Sequence, residues 1–455
     1  MTSIWWIRRD LRLTDNAALQ SALEAGPVIP VFIIDPAFSS QSLRRRNFLY
    51  EGLSELDKEL RKRNSHLVIR TGKPKDVLHQ LIQEANATMI FAEEDYTPYA
   101  RKRDSLIAKQ LPLQIILGQT VHHPEFVKKA DGSPYTIYTP YSKTWKSLLT
   151  EIQLFPEPKN IITPAEIKSD RIPPFVSNPF FPAGEPEALN RLENFTAGKI
   201  FSYNENRNRT DMDGTSSLSP YLRFGMLGLR QAVRTAQQAW AESGNVDEKH
   251  GAEIWLNELI WREFYIQILY HFPEVSKAAF NKSLANIQWR NNETEFIAWK
   301  EGCTGIPIVD AAMRQLKETG WMHNRARMIV ASFLVKDLLI DWRWGETWFM
   351  ENLLDGDIAS NNGGWQWTAG TGTDATPYFR IFNPVLQSAK FDPNGDYIRK
   401  WVPELSKLNA KEIHTPWDLK IKVSGYPEKP IVDRELVKDR TLKAYNESKM
   451  ANQIT

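Results

Sequence analysis

Residues 3–34 read SIWWIRRDLRLTDNAALQSALEAGPVIPVFII, and this stretch indicates the fold of the first third of the chain. Its two apolar runs, residues 3–7 and 27–34, are short and typical of buried parallel strands. A helical pattern begins between them at the cap signal formed by Thr14, Asp15 and Asn16. A strand, a helix and a second strand in this order predict a right-handed unit of a parallel sheet.

The same alternation continues to about residue 117. Further strand-like runs cover residues 66–70, 89–92 and 114–117, and helical patterns cover residues 43–63, 74–84 and 98–110. We therefore predict a doubly wound parallel sheet. The first strand is not followed by GxGxxG, and the chain has no GxxxxGK[ST]. This argues against a nicotinamide-dependent oxidoreductase built on the sheet.

The remainder of the chain is helical in pattern. Residues 156–186 are rich in proline and read as a connection, and helical patterns follow at residues 252–270, 306–319, 324–339 and 347–354. We predict an α/β domain at residues 1–130, a linker at 131–200 and an all-α domain at 201–455. The polar segment 445–455 is expected to fray.

Composition bounds the function only loosely. The chain has 455 residues, 42% hydrophobic and 25% charged, with a formal net charge of +2. No stretch approaches a membrane span, and the N-terminus has no secretory pattern. The single cysteine, Cys303, excludes an intramolecular disulfide. We therefore expect a cytoplasmic protein without membrane contact, and we expect a monomer.

Two segments of the helical part carry candidate ligand-binding groups. Residues 213–222, DGTSSLSPYL, place a glycine and several hydroxyls before a predicted helix. This arrangement suits the binding of a phosphate, but an ordinary helix cap has the same pattern. Farther along, Trp255, Glu258, Arg262 and Tyr265 share one helix face. Burying a carboxylate and a guanidinium among aromatics is costly unless they pair or hold a ligand.

A denser polar signal follows. Residues 355–367 read DGDIASNNGGWQW, which we interpret as a loop lining a site, because a surface loop does not need its tryptophans. The two acids have no His or Cys at ligand spacing, so we expect no metal.

These motifs resemble the photolyase/cryptochrome family. The resemblance rests on residues 5–16 (WWIRRDLRLTDN), 214–222, 324–328 (NRARM), 355–367, 371–374 (TGTD) and 378–384 (YFRIFNP), and extends over nearly the whole chain. It implies an N-terminal α/β antenna domain and a helical domain that binds FAD.

The resemblance assigns two groups of residues to FAD. The positions that match those holding its phosphates and ribityl chain are Tyr203, Thr215, Ser216, Ser217, Leu218 and Ser219. The positions that match those around its adenine and flavin rings are Trp255, Glu258, Arg262, Asn324, Arg327, Asp355, Asp357 and Asn361. Plant cryptochromes have Asp at the last of these positions, so the amide of Asn361 favours a repair enzyme.

The resemblance also assigns a pocket for damaged DNA. The positions that match those lining the lesion cavity of cyclobutane-dimer enzymes are Glu258, Trp261, Asn324, Arg325, Met328 and Trp367. Glu258 is expected to stabilise the opening dimer, and Arg325 and Arg380 are candidates for backbone phosphates. Six-four enzymes typically have His in place of Asn324. Relatives that prefer single strands usually have Gln in place of Met328 and Tyr in place of Trp367.

Three further tryptophans, Trp365, Trp342 and Trp289, match the relay that carries electrons from the surface to the flavin. Folate-binding relatives place a glutamate just after the last strand, but residues 117–124 contain no acid. The antenna is therefore open between a deazaflavin, FMN, folate and none. We expect light-driven repair of pyrimidine dimers in DNA, with a cryptochrome-type photoreceptor as the alternative.

Overall fold

Five parallel strands form one sheet near the start of the chain. In a computed structural model, which describes residues 2–38, 42–164 and 166–451, the strands are β1 Thr2–Ile7, β2 Val28–Ile34, β3 Val68–Thr71, β4 Ala87–Glu93 and β5 Leu113–Ile116. Their order is β3-β2-β1-β4-β5, with every neighbouring pair parallel. Because the order reverses at β1 and β4, the sheet is doubly wound, as predicted.

The central strand is buried because its side chains are apolar on both faces. Ile4, Trp5, Trp6 and Ile7 are each at most 2% exposed. Trp5 lies in register with Pro30 of β2 and Phe91 of β4. The predicted cap is also present, because the Asn16 side chain accepts from the backbone N–H of Leu19 at 2.9 Å.

The segment after β1 joins the sheet to nearby helices. Arg12 is fully buried and donates to the Glu93 carboxylate at 2.6 Å and to the backbone oxygen of Gly225 at 3.3 Å. The Glu185 carboxylate accepts from the backbone N–H groups of Leu13 and Thr14 at 2.7 and 2.9 Å. The charged side chains that contact this segment thus have a structural role, because they hold it against neighbouring elements.

Eighteen α-helices occur in the described ranges, beginning with four that alternate with the strands. They are α1 Ala17–Ala25, α2 Leu43–Arg61, α3 Pro74–Ala85, α4 Pro98–Ala108, α5 Tyr138–Leu148, α6 Glu185–Thr196, α7 Tyr203–Asn206, α8 Ser219–Phe224, α9 Leu229–Glu242, α10 Val246–His271, α11 Glu293–Glu301, α12 Pro307–Thr319, α13 Asn324–Ser332, α14 Trp342–Asn352, α15 Ile358–Ala369, α16 Pro384–Phe391, α17 Asp396–Trp401 and α18 Arg434–Ala451. This confirms the predicted fold class, an α/β part followed by helices.

By its internal contacts the chain forms two compact units. One consists of Met1–Asn204 with Ser216–His271, and the other of Glu205–Thr215 with Phe272–Thr455. The first unit contains the sheet together with the long helix α10. The domain boundaries after residues 130 and 200 follow sequence composition and stay a prediction.

The end of the chain is more ordered than predicted. Residues 445–451 belong to α18, and Tyr445 is completely buried, with its hydroxyl donating to the Ala369 oxygen at 2.7 Å. The expectation of fraying was wrong for these residues, because the buried ring fixes an otherwise polar helix. Residues 452–455 lie outside the described part of the chain. Within that part, no helix has the length and apolar character needed to cross a membrane.

Gly251 permits a close approach within the first unit. A Cβ atom at this position of α10 would lie 2.5 Å from the Ile200 oxygen and 2.6 Å from the Phe201 oxygen. Both atoms are backbone, so the helix itself would have to shift. The missing side chain therefore sets the distance between α10 and the turn that precedes Tyr203.

We expect Gly251→Ala to destabilise the protein. Overpacking costs about 1–3 kcal/mol, which outweighs the gain of up to about 1 kcal/mol from the better helix former. Urea unfolding should show a lower midpoint. Gly244→Ala is the matched control, because its Cβ would meet only the Glu248 side chain at 3.6 Å. Equal midpoints for both variants would contradict the close approach.

Candidate functional site

Helix α10 carries the first group of predicted residues. Trp255 is 2% exposed and packs against Phe195, with ring centroids 5.1 Å apart. Arg262 donates to the Leu222 oxygen at 3.3 Å, and Glu258 is half-buried. Of the four residues predicted to share one face of α10, Trp255 is fixed by packing and Arg262 is fixed by a hydrogen bond.

Trp261, the predicted platform for a DNA base, is held by a residue that the sequence analysis missed. The Tyr138 ring of α5 stacks on the indole at a centroid distance of 3.7 Å and an angle of 4°. Its hydroxyl donates to the Asn257 oxygen at 2.9 Å. One face of Trp261 is therefore covered and its orientation is fixed. No local pattern pointed to Tyr138, because it is 123 residues away in sequence.

Glu263 is a buried carboxyl on the same helix. It accepts from the Trp145 indole N–H at 2.6 Å and from the backbone N–H of Val121. Burial raises the pKa of Glu263 to about 7, despite these hydrogen bonds. This side chain ties α10 to α5 and to residues 121–122.

The hydroxyl-rich segment leads into the short helix α8. Leu218 is buried, Ser219 is the first residue of the helix, and Ser217 has a positive φ of 51°. Ser216 is partly buried in the first unit, whereas Thr215 belongs to the second. Tyr203 is buried edge-on to Phe195 at 5.7 Å, so Phe195 packs against both Tyr203 and Trp255.

Helix α13 begins with Asn324, which is exposed. The next residue, Arg325, donates to the Asn208 side-chain oxygen at 2.7 Å and lies 4.4 Å over the Phe391 ring. Burial, together with the charges of Arg207 and Arg380, lowers the pKa of Arg325 to about 10. The guanidinium groups of Arg207, Arg325 and Arg380 thus form a positive cluster. The sequence analysis did not identify Arg207, because no motif near it in sequence points to this role.

Arg327 and Asp355, two of the positions assigned to FAD, form an ion pair. The guanidinium donates to the Asp355 carboxylate at 2.7 Å and to the Met322 oxygen at 2.8 Å. The second carboxylate oxygen of Asp355 is buried and has no hydrogen-bond partner among the described residues. An unsatisfied buried acceptor of this kind suits a ligand that donates a hydrogen bond.

Residues 358–367 are helical, so the predicted loop was wrong. They belong to α15, whose N-cap is Asp357, with its carboxylate accepting from the backbone N–H groups of Ala359 and Ser360 at 3.1 Å. Asn and Gly disfavour helices in isolation, which explains the error. Packing decides the outcome here, because Trp365 is 2% exposed in the interior.

Asn361 is oriented by helix α14. Its amide nitrogen donates to the backbone oxygen of Glu346 at 3.0 Å, and the neighbouring Asn362 donates to the Glu346 carboxyl at 2.9 Å. Burial raises the pKa of Glu346 to about 7. The side-chain oxygen of Asn361 is then the atom suited to accept from a ligand N–H. Glu346 escaped the sequence analysis because nothing in its neighbourhood marks it.

The three predicted relay tryptophans differ in burial. Trp342 and Trp365 are 1% and 2% exposed, whereas Trp289 is only partly buried. Trp365 packs on Phe349 at 5.0 Å, and Trp289 packs edge-on to Tyr445 at 6.0 Å. The other predicted residues of this unit also keep some accessibility: Met328 and Trp367 are half-buried and Arg380 is exposed.

The donor set fits FAD better than a metal. Within the second unit, a paired arginine, an unsatisfied buried carboxylate oxygen and an oriented amide suit the polar groups and ring N–H groups of a flavin nucleotide. In the described ranges, no group of three or more His, Cys, Asp or Glu side chains has the arrangement to hold a metal ion. The neighbouring His122 and His123 contact the Trp145 oxygen and the Glu94 carboxylate.

A doubly wound sheet followed by a helical nucleotide-binding segment defines a flavoprotein of two parts. Residues 3–159 match the family model described as DNA photolyase, and residues 255–447 match that of the FAD binding domain of DNA photolyase. The chain therefore belongs to the photolyase/cryptochrome family.

Relatives of similar length carry one name. The chain is 40% identical to a deoxyribodipyrimidine photo-lyase of Vibrio cholerae, over 98% of this chain and 99% of the relative. It is 39% identical to one of Synechococcus sp., covering 98% and 97%, and 38% identical to one of Escherichia coli, covering 98% of each. The similarity thus extends through both parts of the chain.

Solved structures agree with the sequence relatives. A class III photolyase from Agrobacterium tumefaciens superposes with a TM-score of 0.93 at 37% identity, covering 98% of each chain. A cryptochrome from Synechocystis gives 0.88 at 31% identity, covering 97% of this chain and 99% of that one. An archaeal photolyase from Sulfolobus tokodaii, described with two FAD molecules, gives 0.84 at 34%, covering 98% and 100%.

Proposed function

We propose that this chain repairs cyclobutane pyrimidine dimers in DNA, with light as the energy source and FAD as the cofactor. The observation that carries the proposal is identity of 38–40% over the full length of relatives named deoxyribodipyrimidine photo-lyase. The arrangement of charged and aromatic side chains supports the same function, as the following paragraphs argue.

FAD is held in this proposal by two sets of side chains. Tyr203 and the hydroxyl-bearing residues 215–219 bind its phosphates and ribityl chain, and the acceptors Asp355, Asp357 and Asn361 bind its ring N–H groups. Arg327 balances the charge of Asp355, from which it is 2.7 Å away. When bound, reduced FAD supplies the electron that splits the dimer on illumination.

The lesion leaves the duplex and stacks on aromatic rings. A dimer pairs weakly, so flipping it out costs only a few kcal/mol. Stacking on Trp261 and Trp367 returns about 1–3 kcal/mol per base. Because Tyr138 already fixes Trp261, that indole loses little conformational freedom on binding. In this proposal Asn324, Arg325 and Met328 also contact the lesion, and Glu258 hydrogen-bonds the pyrimidine edge.

The relay tryptophans return electrons to the cofactor from outside. Burial of Trp365 and Trp342 protects two indoles from solvent, while partly exposed Trp289 is accessible to an external reductant. This difference in burial supports an electron-transfer route that ends at the protein surface. The relay restores the reduced cofactor and takes no part in splitting the dimer.

An antenna chromophore is a further part of the proposal. The carboxyl edge of the sheet, where doubly wound folds bind ligands, is its expected location. Deazaflavin, FMN and folate are the candidates, and the Sulfolobus neighbour described with two FAD molecules shows that such proteins take a second chromophore. We further propose that the enzyme is cytoplasmic, in keeping with its single cysteine. We also propose that it is a monomer, which light scattering would check.

The proposal is tested by illuminating the purified, reduced protein with a thymine-dimer oligonucleotide under anaerobic blue light. Recovery of thymine absorbance in light, and not in a dark control, would support repair. An additional near-ultraviolet or violet absorption band would reveal the antenna. A bound flavin that photoreduces without repairing would refute the proposal in favour of a photoreceptor, the function suggested by the cryptochrome neighbour.

We expect Glu258→Ala to retain FAD and to lower the repair yield several-fold, because the opening dimer loses a hydrogen-bond partner. The quantum yield of repair and the flavin absorbance are measured on the same sample. Glu253→Ala is the control on the same helix, since Glu253 pairs with Lys146 at its surface. An unchanged yield in Glu258→Ala would remove this residue from the mechanism.

Trp289→Phe should slow photoreduction of the oxidised protein and leave repair by the prereduced protein unchanged. Phenylalanine is much harder to oxidise than indole, so only the relay is interrupted. Transient absorption and repair assays separate the two effects. Trp240→Phe, at a tryptophan 49% exposed on α9, controls for loss of a surface indole. Parallel loss of photoreduction and repair would contradict the assigned role.

Arg380→Gln should weaken binding to all DNA sequences and reduce the slope of log affinity against log salt by about 1, because this exposed arginine is a candidate for one backbone phosphate contact. Arg209→Gln should leave the slope unchanged, because Asp211 already holds that guanidinium at 2.6 and 2.8 Å. Salt titrations of a dimer-containing duplex measure both variants. Identical slopes in both would remove Arg380 from the DNA contact.

A further inference from the structure

His323 forms the N-cap of α13, the helix that carries Asn324, Arg325 and Arg327. Its Nδ1 atom accepts from the backbone N–H of Arg325 at 3.1 Å. The residue is 4% exposed, and its own backbone N–H points to the Gln315 side-chain oxygen at 3.5 Å. Caps of this kind usually come from Ser, Thr, Asp or Asn, so a buried histidine is an unusual choice.

The imidazole at this position is neutral. Burial, together with the charges of Arg325 and Arg327, lowers the pKa of His323 to about 4, although Asp211 acts in the opposite direction. Because Nδ1 accepts, the ring proton is on Nε2. The Nε2 atom is buried and finds no hydrogen-bond partner within the described residues.

Both arginines beside His323 are already engaged elsewhere. Arg325 is bound by Asn208 and lies over the Phe391 ring. Arg327 is bound by the Asp355 carboxylate. An acidic cap between two guanidinium groups would compete for both of them, since charged hydrogen bonds are stronger than neutral ones.

We propose that His323 is a positioning residue, whose neutral imidazole fixes the start of α13 without drawing Arg325 or Arg327 from their partners. The part of this inference that concerns DNA rests on the proposed function, and the part that concerns Arg327 rests on FAD binding alone. The residue contacts neither ligand and acts through the two arginines.

A charged residue at position 323 distinguishes the proposed positioning role from simple capping of α13. Aspartate is among the best N-caps and also suits the positive end of a helix. If His323 only terminated the helix, Asp would replace it as well as Asn does. If neutrality matters, Asn alone retains function, because its oxygen accepts without a charge.

The experiment compares His323→Asn, His323→Asp and His323→Leu. Melting temperature, the rate of FAD release and affinity for a dimer-containing duplex are measured for each. We expect Asn to bind DNA within about threefold of the original chain, and Asp to bind about tenfold more weakly, as expected when a hydrogen bond to a charged group is lost. FAD should be released faster from the Asp variant, although its melting temperature should equal that of the Asn variant.

Equal DNA affinity and FAD release in the Asn and Asp variants would overturn the inference. The Leu variant, which removes the acceptor, should lose both stability and affinity. If it fails to fold, the comparison of Asn with Asp still decides. Absence of light-driven repair by the original chain would refute the proposed function separately, and FAD release from the Asn and Asp variants would still report on Arg327.

Discussion

The buried ion pair of Arg12 and Glu93 is the constraint on which the first unit depends. The two side chains are each 2% exposed and meet at 2.6 Å, at the carboxyl ends of β1 and β4. Arg12 also binds the backbone oxygens of Asp15 and Gly225. Removing one member of a buried pair typically costs about 3–5 kcal/mol, because the other charge is left uncompensated. The guanidinium of Arg12 therefore connects the end of β4 with the residue that follows α8.

Helix α10 extends this order to the proposed pocket. Glu258 and Glu263 are five residues apart, which places them about 140° apart around the helix. The two carboxyls consequently have different surroundings. Glu263 is completely enclosed by Trp145 and the backbone of residues 121–122, whereas Glu258 keeps partial exposure. One helix thus carries both a buried anchoring side chain and a side chain of the proposed pocket.

Sequence reasoning predicted the elements whose signal is local. The five strands and the cap at Asn16 were both accessible from the sequence pattern. The errors share one cause, which is tertiary packing that overrides local propensity. Helix α15 contains Asn and Gly yet forms because Trp365 is buried, and α18 extends to Ala451 because Tyr445 is. Tyr138, Arg207 and Glu346 were missed because their partners are distant in sequence.

The stack of Tyr138 on Trp261 has a consequence for how such proteins diversify. Tyr138 lies within residues 3–159, which match the first family model, and Trp261 lies within residues 255–447, which match the second. The segment proposed to hold a light-harvesting pigment therefore also supplies the ring that supports the indole proposed to receive the lesion. An exchange of the first segment therefore retains the support of this indole only where a tyrosine is kept at position 138.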